Sequence, residues 1–178
     1  MYAAPPTGMP DPFFIHTFTD DGVGGPIISL NAQALTSTAW GTANLALFIP
    51  FTITERHTYV RACVCNGATV AGNFDVGVYR GTARLFSTGT TAQAGVSQMQ
   101  VVTGLSWTLD PGDYYLALAT NSTTATFMCG NIASGGYGMA VTGGKQQTTA
   151  FVLPNPATLA NYATVFVPLF GIFEKTWV

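Results

Sequence analysis

At 178 residues the chain has the length of about one domain, and a formal net charge of −2 with only six Lys and Arg supplies no basic stripe for neutralising phosphates, so a nucleic-acid partner is not expected. Charged residues make up 8% of the chain, against about 25% in an ordinary soluble domain, while hydrophobic residues reach 48% and aromatics 12%, a balance that excludes a disordered chain. Two readings of the missing charge stand: a surface largely taken up by neighbouring subunits, or a secreted β-domain whose polar set is Thr, Ser and Asn.

Residues 1–44 read as a proline- and glycine-rich arm. Pro5, Pro6, Pro10, Pro12 and Pro26, with Gly8, Gly22, Gly24 and Gly25, leave room only for a short strand around Ile27 to Leu30. The arm nevertheless carries Phe13, Phe14, Ile15 and Phe18, which a flexible linker has no use for. These four are expected to bury themselves on either the β-domain or an adjacent subunit, with the adjacent subunit favoured. The opening MYAAPPTGMPDPFF has no cationic segment followed by an apolar one, so synthesis in the cytoplasm without a secretory signal is expected.

A β-sandwich domain is expected over 45–178. The run LALFIPFTI at 45–53 is a strand interrupted by Pro50, which places it at a sheet edge or bulge. Residues 58–65 alternate, with Val60, Ala62 and Val64 on one face and Tyr59, Arg61, Cys63 and Cys65 on the other. Phe74, Val76 and Val78 alternate against Asp75, Gly77 and Tyr79, and Arg80-Gly81-Thr82 turns the chain into a hairpin partner at 83–87. A strand over 96–103 is broken at Gly104, and 105–109 leads into the turn Asp110-Pro111-Gly112-Asp113. After that turn Tyr114, Leu116 and Leu118 form a wide inner face, and Tyr115, Ala117 and Ala119 a small, flat outer one.

A short strand is expected at 125–129, then a glycine-rich excursion over 130–147, and last strands at 148–153 and 163–173 separated by Pro154-Asn155-Pro156. No stretch holds a helical period over three turns. About eight to ten short strands with turn signals between them predict an all-β, antiparallel, jelly-roll-like sandwich with an extended N-terminal arm. The longest apolar run is about half of what a membrane helix needs and contains Pro168, so no membrane insertion is expected.

Three runs, FIPFTITERHTYVRACV, FDVGVYRGTARLFSTG and VVTGLSWTLDPGDYYLALA, resemble in that order the β-sandwich modules of bacteriophage virion proteins. The likeness lies in an apolar-Pro-Phe strand, a V-x-V-Y hairpin and an L-x-P-G-x-Y-Y-L strand, and it spans roughly 45–119. It implies a non-enzymatic structural subunit of a phage particle, a capsid decoration or cement protein in the first instance, with a tail or fibre glycan-binding module as the alternative. Implied partners are the major capsid or other virion proteins and copies of the chain itself, a trimer first and a dimer second. A host surface glycan belongs to the alternative.

Residues that could carry chemistry are few. His16 and His57 are the only histidines, neither in a nucleophile-and-base pattern, and no enzyme activity is expected. Asp110 and Asp113 are expected to serve their own turn and not to form a catalytic pair. Cys63, Cys65 and Cys129 are expected to be free thiols, with no metal site and no cofactor. Glu55 and Arg56 are placed near Glu174 and Lys175 as candidate rim ion pairs. Trp40, Tyr137 and Trp177 are aromatics in flexible or terminal stretches, and so are candidate contacts for a glycan or a protein partner.

Overall fold

A computed structural model of the chain describes residues 27–28, 35–131 and 143–174. The described residues form strands and no helix: β1 (Ile27–Ile28), β2 (Leu35–Ala39), β3 (Leu45–Ile53), β4 (His57–Cys65), β5 (Asn73–Arg80), β6 (Ala83–Ser87), β7 (Thr91–Ala92), β8 (Met99–Leu109), β9 (Gly112–Thr120), β10 (Thr126–Asn131), β11 (Lys145–Gln147), β12 (Ala160–Asn161), β13 (Phe166–Pro168) and β14 (Phe170–Phe173). The sheets run β12-β11-β3-β9-β5-β6, with β7 also on β5, then β1-β14-β4-β8 and β13-β10-β2. This is the antiparallel β-sandwich expected from the alternation of apolar residues.

The frame is a rolled ribbon. β3 pairs β9 from Leu45↔Thr120 to Ile53↔Gly112 in one layer, and β4 pairs β8 from His57↔Leu109 to Cys65↔Met99 in the other. Both connections, residues 54–56 and 110–111, therefore cross between layers at one corner, the winding by which jelly rolls are built. Tyr114 locks this corner by donating its hydroxyl to the Asp110 carbonyl at 2.6 Å, and the Thr52 hydroxyl donates to Asp113 at 2.7 Å. Pro50 sits where β3 faces β9 on one side and β11 ends at Phe48 on the other, so its missing N–H costs no described ladder bond.

The main core lies between the layers. Leu47, Ile49, Phe51, Val76, Val78, Leu116 and Leu118 meet Val64, Leu109, Phe127, Phe170 and Ile172 across it. A second cluster covers the opposite face of the large sheet, where Ala46, Phe48, Tyr79, Ala117 and Ala119 pack under Ala150, Leu153 and Ala157. Residues 148–159 thus form a strap over the flat outer face that Ala117 and Ala119 create.

Several expectations are corrected. The segment before residue 45 is not all arm: Leu35–Ala39 pairs β10 from Leu35↔Gly130 to Ala39↔Thr126, and Ile27–Ile28 pairs β14. Residues 148–153 are not a strand, because their apolar side chains are used to cover the outer face and not to extend a ladder. The single strand expected at 163–173 is two, divided at Leu169. The Leu169 N–H bonds Met128 of one sheet at 2.8 Å and its carbonyl accepts from Cys65 of another at 3.0 Å. Gly104 does not break its strand either; β8 continues through it with φ +78°, and the ladder to β4 shifts register between Tyr59↔Trp107 and Arg61↔Thr103. That bulge reverses the local alternation, so Tyr59, 2% exposed, enters the core in place of Val60.

Candidate functional site

Charge is distributed very unevenly over the sandwich. Arg56 pairs with Asp110 at 3.5 Å at the rolled corner, where both are exposed, and Arg80 lies over the Tyr114 ring at 5.9 Å. His57 Nδ1 meets Glu174 at 2.6 Å with both side chains mostly covered, tying the end of β14 to the start of β4. The observed partners are thus Arg56 with Asp110 and His57 with Glu174, in place of the expected pairing of Arg56 with Glu174, while Lys175 lies outside the described residues. From Leu85 to Leu109, by contrast, no residue is ionisable.

That neutral segment includes a sheet edge that no other described strand covers. β8 is the terminal strand of its sheet, bonded to β4 on one side and to no other described strand on the other. It is also the longest strand described, at 11 residues. Met99 is 56% exposed and Val101 41%, both on the outward face, with Thr103 exposed beside them. Edges of this kind are ordinarily blunted by charge, by proline or by cover. The terminal strand of the other layer, β6, is covered: the Arg84 N–H bonds Asn155 Oδ1 at 3.1 Å, and Ala157 of the strap donates to the Thr82 carbonyl at 2.8 Å. Between the two edges, Phe86 of β6 stacks on Trp107 of β8 with centroids 5.6 Å apart and closes the core.

The neutral edge is held rigidly. Asn66, 1% exposed, donates to the carbonyls of Ala94 at 2.6 Å and Gly95 at 3.1 Å, and accepts from Gln93 Nε2 at 3.0 Å. Gln100 of β8 accepts from the Ala94 N–H and donates to the Ala92 carbonyl, both at 2.8 Å. Two amide side chains, Asn66 and Gln100, thereby satisfy backbone groups of Ala92, Ala94 and Gly95, and Gln93 braces Asn66, which together fix the start of β8. The Asn66-Gly67 pair reads in sequence only as a strand end.

A buried acid was likewise invisible to sequence reasoning. Asp75 is fully buried and accepts hydrogen bonds from Ser87 Oγ at 2.7 and 2.9 Å, Thr88 Oγ1 at 3.2 Å and the Leu153 N–H at 3.1 Å. Burial pushes its carboxyl above the ordinary value, against the opposing pull of these bonds. Every bond recorded for it fixes the strap or the 87–89 turn, and the signal was a lone acidic residue in an apolar strand facing Ser87-Thr88 across a hairpin.

Of the aromatic candidates, Trp40 is corrected. It is 1% exposed, meets Phe127 and Phe166 edge to face at 5.2 and 5.6 Å, and donates its indole N–H to the Leu45 carbonyl at 3.0 Å. Its ring has no face free for stacking, because β2 carries it into the core. Phe13, Phe14, Ile15, Phe18, Tyr137 and Trp177 lie outside the described residues. Cys63, Cys65 and Cys129 are free thiols, with Cys63 and Cys129 buried. Among the described residues no cluster of His, Cys, Asp or Glu is arranged to hold a metal ion. Compared with known protein families, curated proteins and solved structures, the chain matches none.

Proposed function

We propose that this chain is a structural subunit of a bacteriophage virion, a decoration or cement protein of the capsid, that works by assembly and not by turnover. The observation that carries the reading is the edge of β8, a strand with neither charge nor proline and, among the described residues, no covering strand, on which Met99 and Val101 are exposed. The three runs that resemble virion modules support it, since they coincide with β3-β4, β5-β6 and β8-β9, the strands of the rolled frame and its hairpin. In this reading the sandwich is the rigid body and its neutral edge is one contact. The proline-rich segment with Phe13, Phe14, Ile15 and Phe18 supplies a second contact, on a neighbouring subunit.

Purified particles produced by the genome that encodes the chain provide the test. Quantitative peptide mass spectrometry is expected to find the chain in many copies per particle, and immunogold labelling to place it on the head. Its absence from washed particles overturns the reading, and labelling confined to a tail tip moves it to the fibre alternative.

A further inference from the structure

We propose that two copies of this chain pair through β8, antiparallel about a two-fold axis at Val101, so that two four-stranded sheets join into one. The proposal deepens the assembly reading above and rests on it. The pairing segment is Met99 to Thr103. Beyond Thr103 the register shift at the Gly104 bulge bends the edge away, and before Met99 the chain is turned aside at Ser97, whose φ is +54° and whose N–H is held by the Gly67 carbonyl at 2.8 Å.

Five straight residues with Val101 at their centre define the register. Antiparallel pairing about that centre places Val101 opposite Val101 of the second copy, Met99 opposite Thr103 and Gln100 opposite Val102. Residues of like parity then meet, so the exposed Met99, Val101 and Thr103 continue one outer face, and Val102, which packs against the core, stays on the inner side. A register slipped by one residue would set the outer face of one copy against the inner face of the other.

The occupant follows from charge. No residue from Leu85 to Leu109 is ionisable, and the described cation beside the pairing segment is Arg61 of β4, opposite Thr103 on the side away from the edge. So β8 itself offers no charge to select a charged peptide, and an equally neutral strand of a second copy meets it without an unpaired ion. A contact of β8 with itself is isologous and closes at two copies. The trimer expected from sequence would instead need β8 to meet a different edge.

The test uses the full chain and its mass by light scattering at micromolar concentration. Wild type is expected at twice the chain mass. Val101→Lys and Val101→Glu are each expected to be monomers that still unfold cooperatively, since the side chain points outward, with a melting temperature lowered only by the loss of the concentration-dependent stabilisation of the dimer. Mixing the two in equal amounts is expected to restore the dimer, because opposite charges then face each other across the axis. Should either single variant fail to fold, Met99→Lys with Thr103→Glu in one chain is expected to keep the dimer, and Met99→Lys with Thr103→Lys to lose it. A monomeric or trimeric wild type, a dimeric Val101→Lys, or a mixture that stays monomeric each overturns the two-fold contact. If the chain is nonetheless found in purified particles, the virion reading survives that loss; if it is a dimer absent from particles, the virion reading fails and the contact stands.

Discussion

The carboxylate of Asp75 accepts a 3.1 Å hydrogen bond from the backbone N–H of Leu153, so that a fully buried acid on β5 holds a strap 78 positions further along the chain. The strap is fastened twice more nearby: Tyr79 donates its hydroxyl to the Pro154 carbonyl at 2.6 Å, and the Arg84 guanidinium donates to the Leu153 carbonyl. The outer face of the large sheet, to which β9 offers Ala117, Ala119 and the partly buried Tyr115, is made into a second small core by this attachment.

Asp75→Ala is expected to cost about 1–3 kcal/mol, since it strands the Leu153 N–H and two hydroxyls that it now satisfies. Hydrogen exchange should show the loss as faster exchange at residues 150–157, with β3 and β9 little changed. Uniform acceleration across the sandwich would refute a local fastening role.

The same acid sets a pH dependence. Its folded-state pKa is raised by burial, so the unfolded chain releases this proton first. Its contribution is fully present below the ordinary carboxylate value and is lost as pH rises through the raised one. Melting temperatures of wild type and Asp75→Asn, compared pH by pH, are expected to diverge across that window. Parallel curves would count against it.

Residues 35–44 are integral to the fold, not an appendage. Deletion of 1–44 removes β2 and Trp40 and is expected to abolish cooperative thermal unfolding by circular dichroism. The single change Trp40→Ala is expected to cost about 3–5 kcal/mol through the cavity left beside Phe127 and Phe166. A cooperative melt in the deleted chain would mean that β10 and the core do without this strand.

Gly77 allows the strap and β6 to approach β5. A Cβ at this position would lie 2.7 Å from the Leu153 side chain and 2.8 Å from the Phe86 carbonyl, and the backbone oxygen has no cheap way to move. Gly77→Ala is expected to destabilise by about 1–3 kcal/mol in chemical denaturation. A neutral result would show that β6 can shift.

Thiol chemistry offers an independent check on burial. Cys63 and Cys129 are buried and their thiols are pushed up to about 12 by desolvation, while Cys65 is less covered. At neutral pH no more than one thiol per chain is expected to react with an aromatic disulfide reagent before unfolding, and peptide mapping should place it at Cys65. Early labelling of Cys129 would contradict the pairing of β10 between β2 and β13.

The alternation of Phe74, Val76 and Val78, and of Tyr114, Leu116 and Leu118, determined the two inner faces without any structure, because burial on one side of a strand writes itself into a period of two. The Arg80-Gly81-Thr82 hairpin and the Asp110–Asp113 corner were legible for a similar local reason: the turn residues fix φ where the chain must reverse. What tertiary structure alone decided was everything set by distant partners. Trp40 joined the core because β10 was there to pair β2. Tyr59 displaced Val60 because of a bulge in the strand opposite, Leu169 divided one apolar run between two sheets, and Asp75 was buried because a strap lying far along the chain supplied its donor. The place of β8 as the last of the described strands in its sheet belongs with these, since a strand carries no mark of being last until its neighbours have been placed.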